Sequence, residues 1–196
     1  MSNPLFKTLT LFFSLLIVIL ASITLVNWMY KGDEKRVHIS LMDQQGKQVT
    51  TRDLGGKHLI VFFGFTSCLD VCPSQMAKLS HSMAVLDQRG YGNLVTPVFI
   101  SIDPERDSSD KVASYLKSFD SRFIGLTGSR QDIEQVTKSF KTLLQDFPKN
   151  RTDNYQLTHS SVFYIVDPFG RLVNLVPDQA SPEAIADLMK KQIKGT

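Results

Sequence analysis

Cysteine is almost missing from this 196-residue chain: there are two, Cys68 and Cys72, four positions apart. A small secreted scaffold stapled by disulfides needs several pairs spread along its length, so that class is excluded. A surplus of one charge is missing too, with 22 Lys and Arg against 19 Asp and Glu. No basic stripe with interleaved aromatics occurs, which argues against nucleic-acid binding. Internal repeats and low-complexity tracts are absent. Apolar residues make up 42% of the chain and recur throughout, so it is not a disordered segment. Two close cysteines and no others read as a working pair.

One stretch has no charge at all. Between Lys7 and Lys31 lie 23 uncharged positions, which as a helix reach roughly 35 Å, enough to cross a hydrocarbon core. Residues 11–25 are dense in Leu, Ile, Val and Phe, and Trp28 and Tyr30 follow where amphipathic rings favour an interface. A cleaved signal peptide has a shorter apolar core, about 7–15 residues. Residues 1–31 therefore read as an uncleaved N-terminal membrane anchor, a transmembrane helix. Residues 32–36 read as a charged linker and 37–196 as one domain, whose about 160 residues suit a single core. Lys7 precedes the span while Lys31, Lys35 and Arg36 follow it, so the positive-inside count does not place the domain outside.

Along the domain, residues 37–42, a turn at 43–46 and residues 47–50 predict a hairpin. The unbroken apolar run 58–65 (HLIVFFGF) predicts a strand covered on both faces. Met76, Leu79, Met83 and Leu86 form a helical stripe within 73–89, which makes Met76 and Met83 core residues. A second buried strand is expected at 94–102, a helix at 108–119, a short strand at 123–127, and a helix at 131–144. Residues 149–158 read as a loop. Strands at 160–166 and 171–176 flank Asp167-Pro168-Phe169-Gly170, a hairpin turn, and Ser181-Pro182-Glu183 opens a last helix. Strands alternating with helices give an α/β fold, and the terminal hairpin makes the sheet mixed.

Thr66-Ser67-Cys68-Leu69-Asp70-Val71-Cys72-Pro73 joins a buried strand to a helix. Pro73 disfavours helical geometry at Cys72, so both sulfurs belong in the connection or at the helix N-terminus. Unpaired N–H groups and the helix dipole there favour thiolates, which attack disulfides and ligate metals. Three residues between the cysteines, where dithiol oxidoreductases usually have two, permit convergence on one ion without forbidding a disulfide. Soft thiolates suit Cu(I) or zinc, and two sulfurs are too few for an iron–sulfur cluster. A third ligand must come from elsewhere. His38 and His58 lie in strands, His81 lies off the apolar stripe and faces solvent, and His159 ends a polar loop and is weakly preferred.

With the cysteine segment GFTSCLDVCPSQM, SIDPERD (101–107), FIGLTG (123–128) and HSSVFYIVDPFGRL (159–172), the chain resembles the Sco/SenC family of copper chaperones for cytochrome c oxidase. The resemblance spans about residue 37 to the C-terminus. It implies a thioredoxin-like mixed sheet flanked by helices, and copper, Cu(I) or Cu(II), held by Cys68, Cys72 and His159. It also implies a single anchor in the inner (cytoplasmic) membrane. The domain would then face the periplasm, or the intermembrane space in a mitochondrion. The implied partners are cytochrome c oxidase subunit II, whose dinuclear copper centre would receive the metal, and a thiol reductant or copper donor protein. The implied alternative is a thiol–disulfide oxidoreductase acting on that centre's cysteines, with Cys68 and Cys72 as a redox pair that forms a Cys68–Cys72 disulfide when oxidised. Leu69 stands where the family commonly has Pro, and Thr158 where an acidic residue commonly precedes the ligand histidine. Asp103, Glu105 and Arg106 are expected to shape the turn after a strand and cap the next helix.

Overall fold

The computed structural model describes residues 4–33, 36–142 and 161–195. The expected 149–158 loop, His159, Ser160 and the end of the helix expected to reach residue 144 lie outside them. The chain forms two compact units, Met1–Arg36 and Val37–Thr196.

In the first unit, α1 (Pro4–Asp33) is one helix of 30 residues. Its described side chains, residue 9 and residues 11–26, are all exposed. The hydroxyls of Ser14 and Thr24 donate to the carbonyls of Leu11 and Ala21, each at 2.9 Å, so these polar groups are satisfied inside the helix. Among the described residues no helix is long and apolar enough to cross a membrane. The uncharged run from residue 8 to residue 30 extends past those described side chains at both ends.

In the second unit, β1 (Ser40–Asp43) and β2 (Gln48–Thr50) form the expected hairpin. Asp43 Oδ1 accepts from the N–H groups of Gln45 (2.9 Å) and Lys47 (2.8 Å), and Gly46 turns the chain with φ at 78°. β3 (His58–Gly64) is buried at every position, which is why its sequence is an unbroken apolar run. It pairs in parallel with β4 (Val95–Ser101) and antiparallel with β6 (Phe163–Val166). β5 (Ile124–Thr127) and β7 (Leu172–Val176) complete a seven-stranded mixed sheet in the order β2-β1-β5-β4-β3-β6-β7. Asp167 closes the last hairpin as expected, accepting from the N–H groups of Phe169 and Arg171 at 2.9 Å, with Gly170 at φ 79°.

Helices flank the sheet. α2 (Val71–Gln88) packs on α5 (Pro182–Lys194) and is tied to it by an Arg89–Asp187 ion pair at 2.8 Å. Met76, Leu79, Met83 and Leu86 are fully buried, the stripe read from sequence. α3 (Ser109–Leu116) lies over β5 and α4 (Arg130–Ser139) beside β1. Gly125 permits the close approach of α3, because a Cβ there would fall 2.4 Å from Val112 Cγ1. Ser108, Ser129 and Ser181 cap α3, α4 and α5 through their side chains. The N-cap of α3 is thus Ser108, and the acidic pair before it, Asp103 and Glu105, does not cap the helix. α4 stops at Ser139, short of the expected extent, where Lys141 takes a left-handed φ of 53°. Phe63 meets Phe140 and Tyr164 edge-on at 5.1 and 5.4 Å, in a core where each buried ring contributes about 1.5–3 kcal/mol.

The β3–β4 register matters most for function. Gly64 is level with Ser101 in the parallel pair, so the connections leaving both strands emerge side by side. Crevices outside the carboxyl ends of parallel strands are where α/β sheets commonly bind ligands.

Candidate metal centre

The strand-to-helix connection is wound tightly. The Cys68 N–H donates to the Phe65 carbonyl at 3.2 Å, and the Ser74 N–H to the Asp70 carbonyl at 3.2 Å. α2 begins at Val71, two residues earlier than expected, so Cys72 is already helical despite the following Pro73. The first turn of a helix has no acceptors for its N–H groups, so a proline there forfeits no hydrogen bond, and its steric bias on Cys72 is overridden. Asp70, in the N-cap position, makes no side-chain cap. A sulfur does that work instead: the Cys72 N–H donates to Cys68 Sγ at 3.4 Å. Of the two sequence-predicted sulfur ligands, the structure therefore brings both to one helix start.

Their surroundings differ. Cys68 is half-buried beside Leu69, which is 89% exposed, whereas Cys72 is fully buried; neither is in a disulfide. The space for Cys72 comes from Gly64, where a Cβ would lie 3.1 Å from Cys72 Sγ and 3.0 Å from the rings of Phe62 and Phe99. Burial pushes the Cys72 thiol well above its ordinary range. The Phe65 backbone opposes this, while Cys68 and Asp107 add to it. The helix start was expected to favour thiolates at both positions, and at Cys72 desolvation outweighs it. Cys72 is a protonated thiol until something, such as a metal, replaces the proton.

The second connection carries residues that the sequence did not mark as part of the site. Asp107, 1% exposed, accepts through Oδ2 from the Thr66 N–H (2.9 Å) and the Ser101 hydroxyl (2.6 Å). Its Oδ1 accepts from the Thr66 hydroxyl at 2.6 Å. Lys111 Nζ lies 3.8 Å from Asp107 Oδ1 and 3.3 Å from Ser67 Oγ. One buried carboxylate thus pins Thr66, two residues before Cys68, to the end of β4. Asp103 and Arg106 shape the turn as expected: the Asp103 carbonyl accepts from the Arg106 N–H at 3.1 Å, the Arg106 side chain donates to the Asp103 carboxylate, and the guanidinium lies over the Phe65 ring. The available signal for Asp107 was its place after a buried strand and opposite a hydroxyl-bearing loop, which only the register reveals.

Histidine completes the comparison with expectation. His38 and His81 are exposed, and His58 is buried at the start of β3, the opposite end from the cysteines. Burial lowers the His58 pKa, with Asp167 opposing. His159 lies outside the described residues. Among the described residues no group of three or more His, Cys, Asp or Glu is arranged to hold a metal ion. Two sulfurs at one helix start are a soft donor pair that fits Cu(I).

A family model described as SCO1/SenC matches residues 30–194. Protein sco1 of Schizosaccharomyces pombe is 36% identical over 150 residues, 75% of this chain and 56% of that protein. The chain spans about half the length of several curated relatives it matches. Among solved structures, Arabidopsis thaliana ScoI with copper bound superposes with a TM-score of 0.75 at 34% identity, covering 83% of this chain and 99% of that one. BsSco, a member of the Sco family of cytochrome c oxidase assembly proteins in which a disulfide switch has been identified, gives 0.64 at 25% identity, covering 80% and 92%.

Proposed function

From the premise that the chain belongs to the SCO1/SenC family, we propose that it binds one copper ion through Cys68, Cys72 and His159 and passes it on as cargo during cytochrome c oxidase assembly. The observation that carries this reading is the sulfur pair itself. Two thiols outside any disulfide meet at one helix start, one reachable from solvent and one buried, on a fold shared with copper-bound relatives. Thiolate and imidazole suit both Cu(I) and Cu(II), and the half-exposed Cys68 is the ligand an acceptor would reach first.

The acceptor is the dinuclear copper centre of oxidase subunit II, and transfer proceeds by ligand exchange. The uncharged stretch within residues 1–31 serves as anchor in the inner membrane, with residues 32–36 as linker and 37–196 as the copper-binding domain. That domain faces the periplasm, or the intermembrane space in a mitochondrion. Copper titration of the full chain tests this. It gives one copper per chain, lost in Cys68→Ala and Cys72→Ala and weakened in His159→Ala. Full occupancy in the His159 variant defeats the three-ligand site.

A second reading has its own support. A half-exposed sulfur beside a buried one suits attack by the first and resolution by the second, as in thiol–disulfide exchange, and BsSco contains a disulfide switch. In that role Cys68 and Cys72 reduce the target's cysteines before metallation and end as a Cys68–Cys72 disulfide. Reduction of an insulin substrate by the His159→Ala variant at the wild-type rate is its expected mark.

A further inference from the structure

Strand register lays out the end of the sheet opposite the cysteines. His58 pairs with Val95 and Leu59 with Val166, so Lys57, Leu94 and the 167–170 turn lie side by side. Two large apolar side chains are exposed there, Phe169 at 59% and Leu94 at 46%. They stand on either side of exposed Lys57, two strand spacings or about 10 Å apart.

The domain also begins at this end. The Val37 N–H donates to the Gly170 carbonyl at 2.9 Å, and the Gly56 N–H to the Pro168 carbonyl at 3.2 Å. A Cβ on Gly55 would lie 3.1 Å from the Arg52 carbonyl oxygen and 3.6 Å from that of Pro168, so the Arg52 turn is close by. Arg36, Arg52, Lys57 and Arg171 are all exposed, and the Arg171 guanidinium lies over the Phe169 ring at 5.2 Å. These four basic residues outnumber the two acidic ones. Asp167 accepts from Arg171 Nε at 2.6 Å, and Asp53 from the Thr50 hydroxyl at 2.6 Å. Farther along the same end, Arg122 is held between Asp87 and Asp120.

We propose that this end of the domain is a membrane-docking face, with Phe169 and Leu94 entering the headgroup layer of an anionic bilayer and the four basic side chains meeting its phosphates. Aromatic rings settle at that depth, and Lys and Arg are drawn to anionic lipid. The inference rests on the anchor reading and goes beyond it. With residues 1–31 as anchor, the five residues of the linker span at most about 18 Å, so a bilayer is within reach of the face at which the chain enters. The tether brings the domain to the membrane, and the face decides which way it points. β3 rises about 23 Å over its seven residues, so docking at this end holds Cys68 and exposed Leu69 out in water, turned toward an acceptor.

The test places an indole at either end of the full chain, in vesicles whose lipid chains carry bromine, which quenches indole emission on contact. Trp28, the single tryptophan, is replaced by Trp28→Phe, and Phe169→Trp and Leu69→Trp are made separately on that background. In vesicles of phosphatidylcholine with phosphatidylglycerol, Phe169→Trp is expected to lose most of its emission and Leu69→Trp to keep it. The loss is smaller in phosphatidylcholine alone, in high salt, and with Arg52→Glu and Lys57→Glu added. The unsubstituted chain gives a second readout: acetylation of Lys57 slows in the anionic vesicles, while that of Lys111, beside Ser67, does not. Equal quenching at both ends, no quenching in Phe169→Trp, or an unchanged Lys57 rate overturns the proposal. Release of the chain by an alkaline wash defeats the anchor reading separately, because quenching is read before the wash.

Discussion

The Cys72 N–H donates to Cys68 Sγ across 3.4 Å, so the first sulfur of the pair caps the helix that carries the second. Capture of Cys68 is thereby coupled to the start of α2, while Cys72 stays inside. In the folded, metal-free protein, iodoacetamide is expected to modify Cys68 and to reach Cys72 only on unfolding. Peptide mass spectrometry against time checks this, and equal labelling of both contradicts it.

Gly64 sets the depth of Cys72. Gly64→Ala places a methyl about 3 Å from Cys72 Sγ and two phenylalanine rings at once. Overpacking of this kind costs about 1–3 kcal/mol, a fall of several degrees in Tm for a domain of this size. Because one of the displaced atoms is the sulfur of a proposed ligand, copper affinity is expected to fall with it. Thermal unfolding and a copper titration of the same sample measure both.

Asp107 organises the loop before Cys68. Asp107→Ala leaves the Ser101 hydroxyl and the Thr66 N–H without their acceptor, at an expected cost of about 3 kcal/mol. Asp107→Asn keeps the volume but turns one acceptor oxygen into a donor facing hydroxyls, and is expected to fall between alanine and wild type. Denaturant melts rank the three. Equal stability in all three would remove the carboxylate from this role.

These residues show what the sequence could and could not reveal. The sheet, its flanking helices and the sulfur pair were legible because burial period, turn residues and cysteine spacing are local signals, as in the unbroken run of β3 and the Asp167–Gly170 turn. Asp107 was not singled out, since its partners Thr66 and Ser101 are joined to it only through the parallel register of β3 and β4. The start of α2 was misjudged by two residues because a local rule about Pro73 met a helix end where its cost vanishes. The thiolate expectation failed at Cys72 for a similar reason: the helix start is local, but the desolvation that outweighs it comes from the whole core.

The pH dependence follows from two buried groups with opposite signs. Cys72 is raised by burial, so its contribution to stability is complete below the thiol's ordinary range and is lost as pH rises beyond about 8.5. His58 is lowered by burial, so its contribution holds above its ordinary range and is lost as pH falls below about 6.5. Stability is expected to be greatest between these limits. Melting temperature against pH measures it, and Cys72→Ala is expected to flatten the alkaline limb alone.

Copper's own surroundings test the central claim most directly. X-ray absorption at the copper edge of the loaded, reduced full chain is expected to show two sulfur neighbours and one imidazole nitrogen, the imidazole contribution disappearing in His159→Ala. A spectrum with no sulfur in the first shell would contradict the account.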